Sequence, residues 1–186
     1  MKIAVLAVQG AFLEHEKMLK SLGAEVMELR KAEDLLGDFD GLVLPGGEST
    51  VQGKLLRELN MFDPLKRRIE EGMPVLATCA GLILLAERIS NGGERHFATL
   101  PVTVRRNAYG RQLGSFFAEE AVKGIGRFPM KFIRAPYIER AGENVEVLGA
   151  VDGNIVAVRY QNQIGVAFHP ELTAHDGIHR KFLEMC

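Results

Sequence analysis

Lys2-Ile3-Ala4-Val5-Leu6-Ala7-Val8 is an unbroken apolar run after its first residue, with none of the alternation of a half-exposed strand. A strand of that kind is covered on both faces, as in a parallel sheet flanked by helices. The neighbouring sequence agrees. Ala11, His15, Met18, Leu19 and Leu22 fall on one helical stripe, and Gly23 is placed to end the helix. Glu25–Leu29 reads as a second short strand and Gly41–Leu44 as a third, which runs into Pro45-Gly46-Gly47-Glu48-Ser49-Thr50. Asp63-Pro64 followed by Leu65, Ile69 and Gly72 predicts a helix with an Asp N-cap, a proline in its first position and a glycine terminator. Pro74–Ala77 is a fourth apolar strand, and Gly81–Ile89 reads as the helix after it. Strand and helix alternating at this rhythm predict a three-layer α/β fold, with a mainly parallel central sheet and helices on both faces.

Beyond about Arg95 the texture changes. Val102–Arg106, Gly114–Ala118, Lys131–Ala135, Val145–Ala150, Ile155–Tyr160 and Gln163–His169 are strand-like. Val151-Asp152-Gly153-Asn154 and Gln161-Asn162 have hairpin-turn composition, so this half is expected to add antiparallel strands to the main sheet. Gly177–Met185 reads as a closing helix. No linker, repeat or low-complexity segment divides the 186 residues, which predicts a single domain over 1–186.

The formal net charge of -1 gives no electrostatic case for nucleic acid or an anionic membrane as partner. No apolar run approaches the roughly 20 residues needed to span a bilayer, and the apolar start is too short for a signal peptide. Cys79 and Cys186 make no disulfide framework, which points to a reducing, cytoplasmic compartment.

In open α/β sheets functional groups gather at the carboxyl ends of the strands. Three local sequences follow strands there: Pro45–Thr50, Thr78-Cys79-Ala80-Gly81 and His169-Pro170-Glu171. A thiol on a tight strand-to-helix turn is exposed to substrate, and the helix start beside it favours the thiolate. Taken alone, Cys79 reads as readily as a core cysteine. His169 can take the thiol proton and return it to a leaving amine. Glu171, two residues on, can fix the imidazole tautomer, although His-Pro-Glu by itself also describes a surface turn. Gly46 and Gly47 offer backbone N–H groups for an oxyanion, or form a plain turn. Nucleophile, base with orienting acid, and oxyanion loop together make a cysteine hydrolase of the acyl-transfer type.

The motifs also carry a resemblance. Leu6-Ala7-Val8-Gln9-Gly10-Ala11, Leu44–Thr50, Thr78–Leu82, Arg106-Asn107 with Gly110-Arg111-Gln112, Phe132-Ile133-Arg134-Ala135-Pro136 and Phe168–Leu172 occur in order over essentially the whole chain. In these the chain resembles the class I (triad-type) glutamine amidotransferases. Within that group it resembles the PdxT family, glutaminase subunits of pyridoxal 5'-phosphate synthase. The resemblance implies L-glutamine as substrate, held by Gly46, Gly47, Glu48, Ser49, Arg106, Ile133 and Arg134, with Cys79, His169 and Glu171 catalytic. An arginine suits the α-carboxylate and a carboxylate the α-ammonium. It also implies a separate synthase subunit (PdxS-type) that receives the ammonia within a large hetero-oligomer, and neither cofactor nor metal. Ala77 departs from the pattern, since family members usually carry glycine two residues before the nucleophile.

Three alternatives stay open on the residues. One is the glutaminase of another pathway, such as imidazole glycerol phosphate synthase, against which Ser49-Thr50 and Ile133–Pro136 argue. Another is the Parkinson's-associated cysteine-elbow family, where a histidine usually follows the cysteine and this chain has Ala80. The third is an inactive regulatory scaffold. His175, Asp176 and His179 lack the further ligands a zinc site needs, His15 reads as a packed polar residue, Arg105-Arg106 is too short a basic run to suggest nucleic acid, and His96 and Cys186 are assigned no role.

Overall fold

The computed structural model describes residues 1–110 and 114–186. Arg111 and Gln112 of the quoted motifs lie outside the described residues. In chain order the elements are β1 (Lys2–Leu6), α1 (Phe12–Ser21), β2 (Glu25–Leu29), β3 (Gly41–Leu44), α2 (Ser49–Glu58), α3 (Phe62–Glu70), β4 (Val75–Thr78), α4 (Ala80–Leu85) and β5 (Ala86–Ile89). They continue with β6 (Leu100–Arg105), β7 (Ser115–Val122), β8 (Gly126–Ile133), β9 (Tyr137–Ala141), β10 (Glu146–Val151), β11 (Asn154–Tyr160), β12 (Gln163–Val166) and α5 (Gly177–Leu183).

The main sheet runs β2-β1-β3-β4-β12-β11-β9-β6-β5, with β10 alongside β11. The five strands from β2 to β12 are mutually parallel, and β11, β9 and β6 join by antiparallel pairing. Every residue of β3, β4 and β12 is buried, as the continuous apolar runs require. Burial of an aliphatic side chain stabilises by about 1.5–3 kcal/mol, more than the ~1 kcal/mol spread of strand propensity. Pattern therefore decides which runs become strands. Steps from β1 to β2 and from β3 to β4 move in opposite directions along the sheet. Right-handed crossovers then put α1 and the helices after β3 on opposite faces.

Several expectations are corrected. The helix after Cys79 stops at Leu85. Ala86–Ile89 instead forms β5, an edge strand parallel to β6, whose burial falls off after Ala86 because only one neighbour covers it. Helix α2 was not anticipated: Gln52, Gly53 and Leu56 form its buried stripe, and the mid-helix glycine weakens the pattern. Helix α3 begins at Phe62, so Met61 rather than Asp63 is the N-cap and Pro64 lies further into the first turn. Gly114–Ala118 and Lys131–Ala135 do not add to the main sheet. Residues 115–118 and 131–133 of these stretches belong to β7 and β8, a separate two-stranded ribbon, and Gly114, Arg134 and Ala135 lie outside the strands. Tyr137–Ala141 is a strand where none was expected, and the last strand ends at Val166, short of His169. The turn between β10 and β11 behaves as predicted, with Asp152 and Gly153 both at positive φ.

Candidate active site

The parallel register aligns the carboxyl ends that matter. Val166 of β12 sits beside Thr78 of β4, and Leu44 of β3 sits beside Ala77. The residues that follow these strands therefore meet at one rim. Cys79 is fixed there by its N–H, which donates to Val166 O at 2.8 Å. Its backbone stands at φ 49°, ψ -101°, a conformation that L residues rarely adopt and that costs on the order of 1–3 kcal/mol. Gly81, two residues on, lets α4 lie against the Leu44 carbonyl, which a Cβ there would strike. Cys79 thus sits on the strained strand-to-helix turn expected of a nucleophile elbow. Ala77 lies buried in β4 beneath it.

His169 follows β12, held by donation of its N–H to Lys131 O of β8 at 2.8 Å. Its Nδ1 lies 2.6 Å from Glu171 Oε1, and both side chains are buried. Glu171 faces the ring because the chain enters a short 3-10 turn at Pro170. Burial alone would lower the imidazole pKa. Hydrogen bonding to Cys79 and Glu171, reinforced by their charges, outweighs it and lifts the group to about 10. Burial alone would likewise raise the Glu171 carboxyl. His15 and the hydrogen bond from His169 more than offset this and hold it below the ordinary carboxylate value. An imidazole of that affinity is a ready acceptor for the thiol proton and a proton donor to a leaving group.

A cavity of about 240 Å³ opens at this rim. Cys79, His169, Gly47, Glu48, Ser49, Arg106, Ile133 and Arg134 line it, so the structure brings together eight of the ten residues singled out in the sequence. Glu171 stands behind His169. Gly46 also stands behind the wall: its N–H donates to Thr78 Oγ1 at 3.1 Å, and its carbonyl accepts from Ala11 N–H at 2.9 Å. Its missing side chain matters, because a Cβ would run into the His169 ring. Gly47 is the loop glycine that borders the cavity. Sγ of Cys79 lies 3.9 Å from the Ile133 carbonyl. Arg134 and Glu48 pair across the mouth at 3.0 Å, with side chains 71% and 55% exposed. Asn91 clamps Arg106 through both main-chain groups, at 2.9 and 2.7 Å.

Sequence reasoning missed part of the wall. Gln9, Ile83 and Asn107 also line the cavity. Gln9 Oε1 accepts the Glu48 N–H at 2.9 Å, while the buried Gln52 donates to the carbonyls of Gln9 and Pro45 at 3.0 and 3.2 Å. These amides hold the glycine loop. Gln9 was visible within a quoted motif; Gln52 had no local signal without α2. Elsewhere, His179 turns inward to His15, Asp176 pairs with Arg180, and His175 packs at a tilt against Phe128, so the three do not converge. His96 is buried under Gly53 of α2 and bonds Arg57 at 3.1 Å.

Comparison with known proteins matches residues 5–186 to the model of the SNO glutamine amidotransferase family. The chain is 64% identical over 184 residues to "Pyridoxal 5'-phosphate synthase subunit PdxT" of Desulfitobacterium hafniense, covering 99% of this chain and 92% of the relative. It is 53% identical to the protein of the same name from Streptococcus pneumoniae, over 100% of this chain and 97% of the relative. A crystal structure described as a glutamine amidotransferase superposes with a TM-score of 0.93 at 45% identity, covering 98% of this chain and 97% of that one.

Proposed function

The chain belongs to the SNO glutamine amidotransferase family, and from that premise we propose that residues 1–186 act as a single glutaminase domain hydrolysing L-glutamine to L-glutamate and ammonia. The observation that carries the proposal is the convergence of a strained Cys79 with a His169–Glu171 pair 2.6 Å apart, at a cavity lined by Glu48, Arg106 and Arg134.

Glutamine enters with its α-carboxylate toward the arginines and its α-ammonium toward Glu48, charge-assisted contacts that fix its orientation. His169 holds the proton given up by Cys79, and the thiolate attacks the side-chain amide carbon. The carbon becomes tetrahedral and its oxygen anionic. Gly47 N–H, and the N–H of Ala80 at the unpaired start of α4, are the donors available to that oxygen. The C–N bond breaks as His169 passes its proton to nitrogen, and ammonia departs. The now neutral imidazole takes a proton from water, hydroxide adds to the γ-glutamyl thioester, and the C–S bond breaks to release glutamate.

The relatives are named as subunits of pyridoxal 5'-phosphate synthase. That supports delivery of the ammonia to a separate synthase subunit of the PdxS type, in a large hetero-oligomer in the cytoplasm. Among the described residues no helix is long and apolar enough to cross a membrane. The test is glutamate release at saturating glutamine by the purified chain, with and without the synthase subunit. Turnover is expected to be low alone, to rise with the synthase, and to vanish in Cys79→Ala. Turnover retained by Cys79→Ala would end the thiol mechanism, and equal rates in both conditions would end the coupling.

A further inference from the structure

Behind the proposed triad lies a second layer of polar groups that the reaction steps leave unused. His15 on α1, Thr78 on β4 and His179 on α5 are all fully buried. His15 Nδ1 lies 2.9 Å from His179 Nε2, and His15 Nε2 lies 3.1 Å from Thr78 Oγ1. The same Nε2 is 3.4 Å from Glu171 Oε2, the carboxylate oxygen turned away from His169. Apart from that contact Oε2 has no polar partner among the described residues, and His179 Nδ1 has no hydrogen-bond partner there. Thr78 Oγ1 in turn accepts the Gly46 N–H. One imidazole therefore touches both the acid of the triad and, through a hydroxyl, the glycine loop.

Two of these observations decide where the protons sit. A buried carboxylate oxygen with no other partner needs an N–H opposite it, because a bare nitrogen lone pair there would be repulsive. That places the His15 proton on Nε2 and leaves Nδ1 to accept from His179 Nε2–H. His179 Nδ1 is then a bare lone pair. The opposite order would face a lone pair to Glu171 and strand an N–H on His179 in the interior, and orphaned buried N–H groups are rare. Burial, the largest influence on each ring, pushes both histidines below their ordinary pKa. His179 lies well below, helped by His15, while for His15 the pull of Glu171 opposes and His169 adds to the lowering.

We propose that His15 is a positioning residue for the reaction: its Nε2–H, oriented by His179, holds the outer oxygen of Glu171 and the hydroxyl of Thr78, so that triad acid and glycine loop share one anchor. The proposal rests on the glutaminase reading above. It separates the roles of the two carboxylate oxygens. Oε1 orients the base, and Oε2 keeps the carboxylate from rotating away. It also gives Thr78 a task beyond filling β4, since its hydroxyl accepts the Gly46 N–H.

The first measurement is the nitrogen-15 imidazole spectrum of the full wild-type chain, in which protonated and bare ring nitrogens separate. His15 is expected neutral with its proton on Nε2; a proton on Nδ1, or a charged ring, overturns the proposal. The second is glutamate release with the synthase subunit present. His15→Leu is expected to lower kcat roughly 10- to 100-fold, the worth of one hydrogen bond to a charged group, with KM changed less than about twofold. His15→Gln, which can place an amide N–H near the Nε2 position, is expected to recover most of that loss. Unchanged kcat in a folded His15→Leu chain, a change in KM alone, or no rescue by Gln would each refute positioning by His15. If His15→Leu does not fold, the proton position and the Gln variant decide. An active Cys79→Ala control would instead sink the glutaminase reading, so the two failures are distinguishable.

Discussion

Gly46→Ala tests whether the base is held in place by the loop beside it. A Cβ at Gly46 would collide with Cε1 of His169 and stand 3.0 Å from Nδ1 and 3.3 Å from Nε2. Carbon atoms in comfortable contact are about 3.5–4.0 Å apart, so the ring must move by roughly 1 Å. The loop cannot retreat instead, because Gly46 is tied on one side to Thr78 and on the other to Ala11. A shift of about 1 Å in a catalytic group costs on the order of 10²-fold in rate, or about 2.7 kcal/mol of barrier. Overpacking costs about 1–3 kcal/mol of stability, which for a chain of this length lowers Tm by about 2–12 °C. The assay is glutamate release with the synthase subunit, alongside a melting curve. Loss of kcat with a folded chain and little change in KM is the expected outcome. A kcat within twofold of wild type would refute the claim that the imidazole is confined by the glycine.

Cys79→Gly is expected to abolish turnover yet raise Tm by a few degrees, because glycine relieves a backbone strain of about 1–3 kcal/mol; a lower Tm would show that the turn is unstrained. Glu171→Gln removes a partner that holds His169 up at about 10. A raised folded-state pKa contributes stability that is fully present below 6.5 and lost as pH rises through about 10. Wild-type Tm should therefore fall across that window and the variant's curve should be flatter; parallel curves would contradict this. Arg134→Ala breaks only an exposed ion pair, so Tm should move little, while KM for glutamine rises roughly tenfold or more if the guanidinium holds the α-carboxylate. An unchanged KM would remove Arg134 from the substrate site.

The sequence made the parallel half of the fold legible because β1, β3 and β4 are short apolar runs that only a doubly covered strand explains. The residues at their carboxyl ends followed from that reading, so the cavity could be assembled on paper. What failed to show had long-range causes. α2 is buried through Gln52 and Gly53, whose partners Gln9 and His96 lie far along the chain. β5 looked helical because no glycine or proline separates Leu82–Leu85 from Ala86–Ile89, and only pairing with β6 tells them apart. The layer of His15, Thr78 and His179 spans both ends of the chain, and no local periodicity reports that three polar groups meet.

The placement of β12 bears on how the molecule is made. This late strand is inserted between β4 and β11, so until residues 163–166 exist β4 has no neighbour on that side. A growing chain therefore carries an open, mostly apolar sheet edge, the kind of surface that recruits other chains. The same strand brings His169 and Glu171 behind it. Closing the sheet and completing the proposed triad are one event in synthesis, and a truncated product that ends before β12 carries the proposed nucleophile without its proposed base.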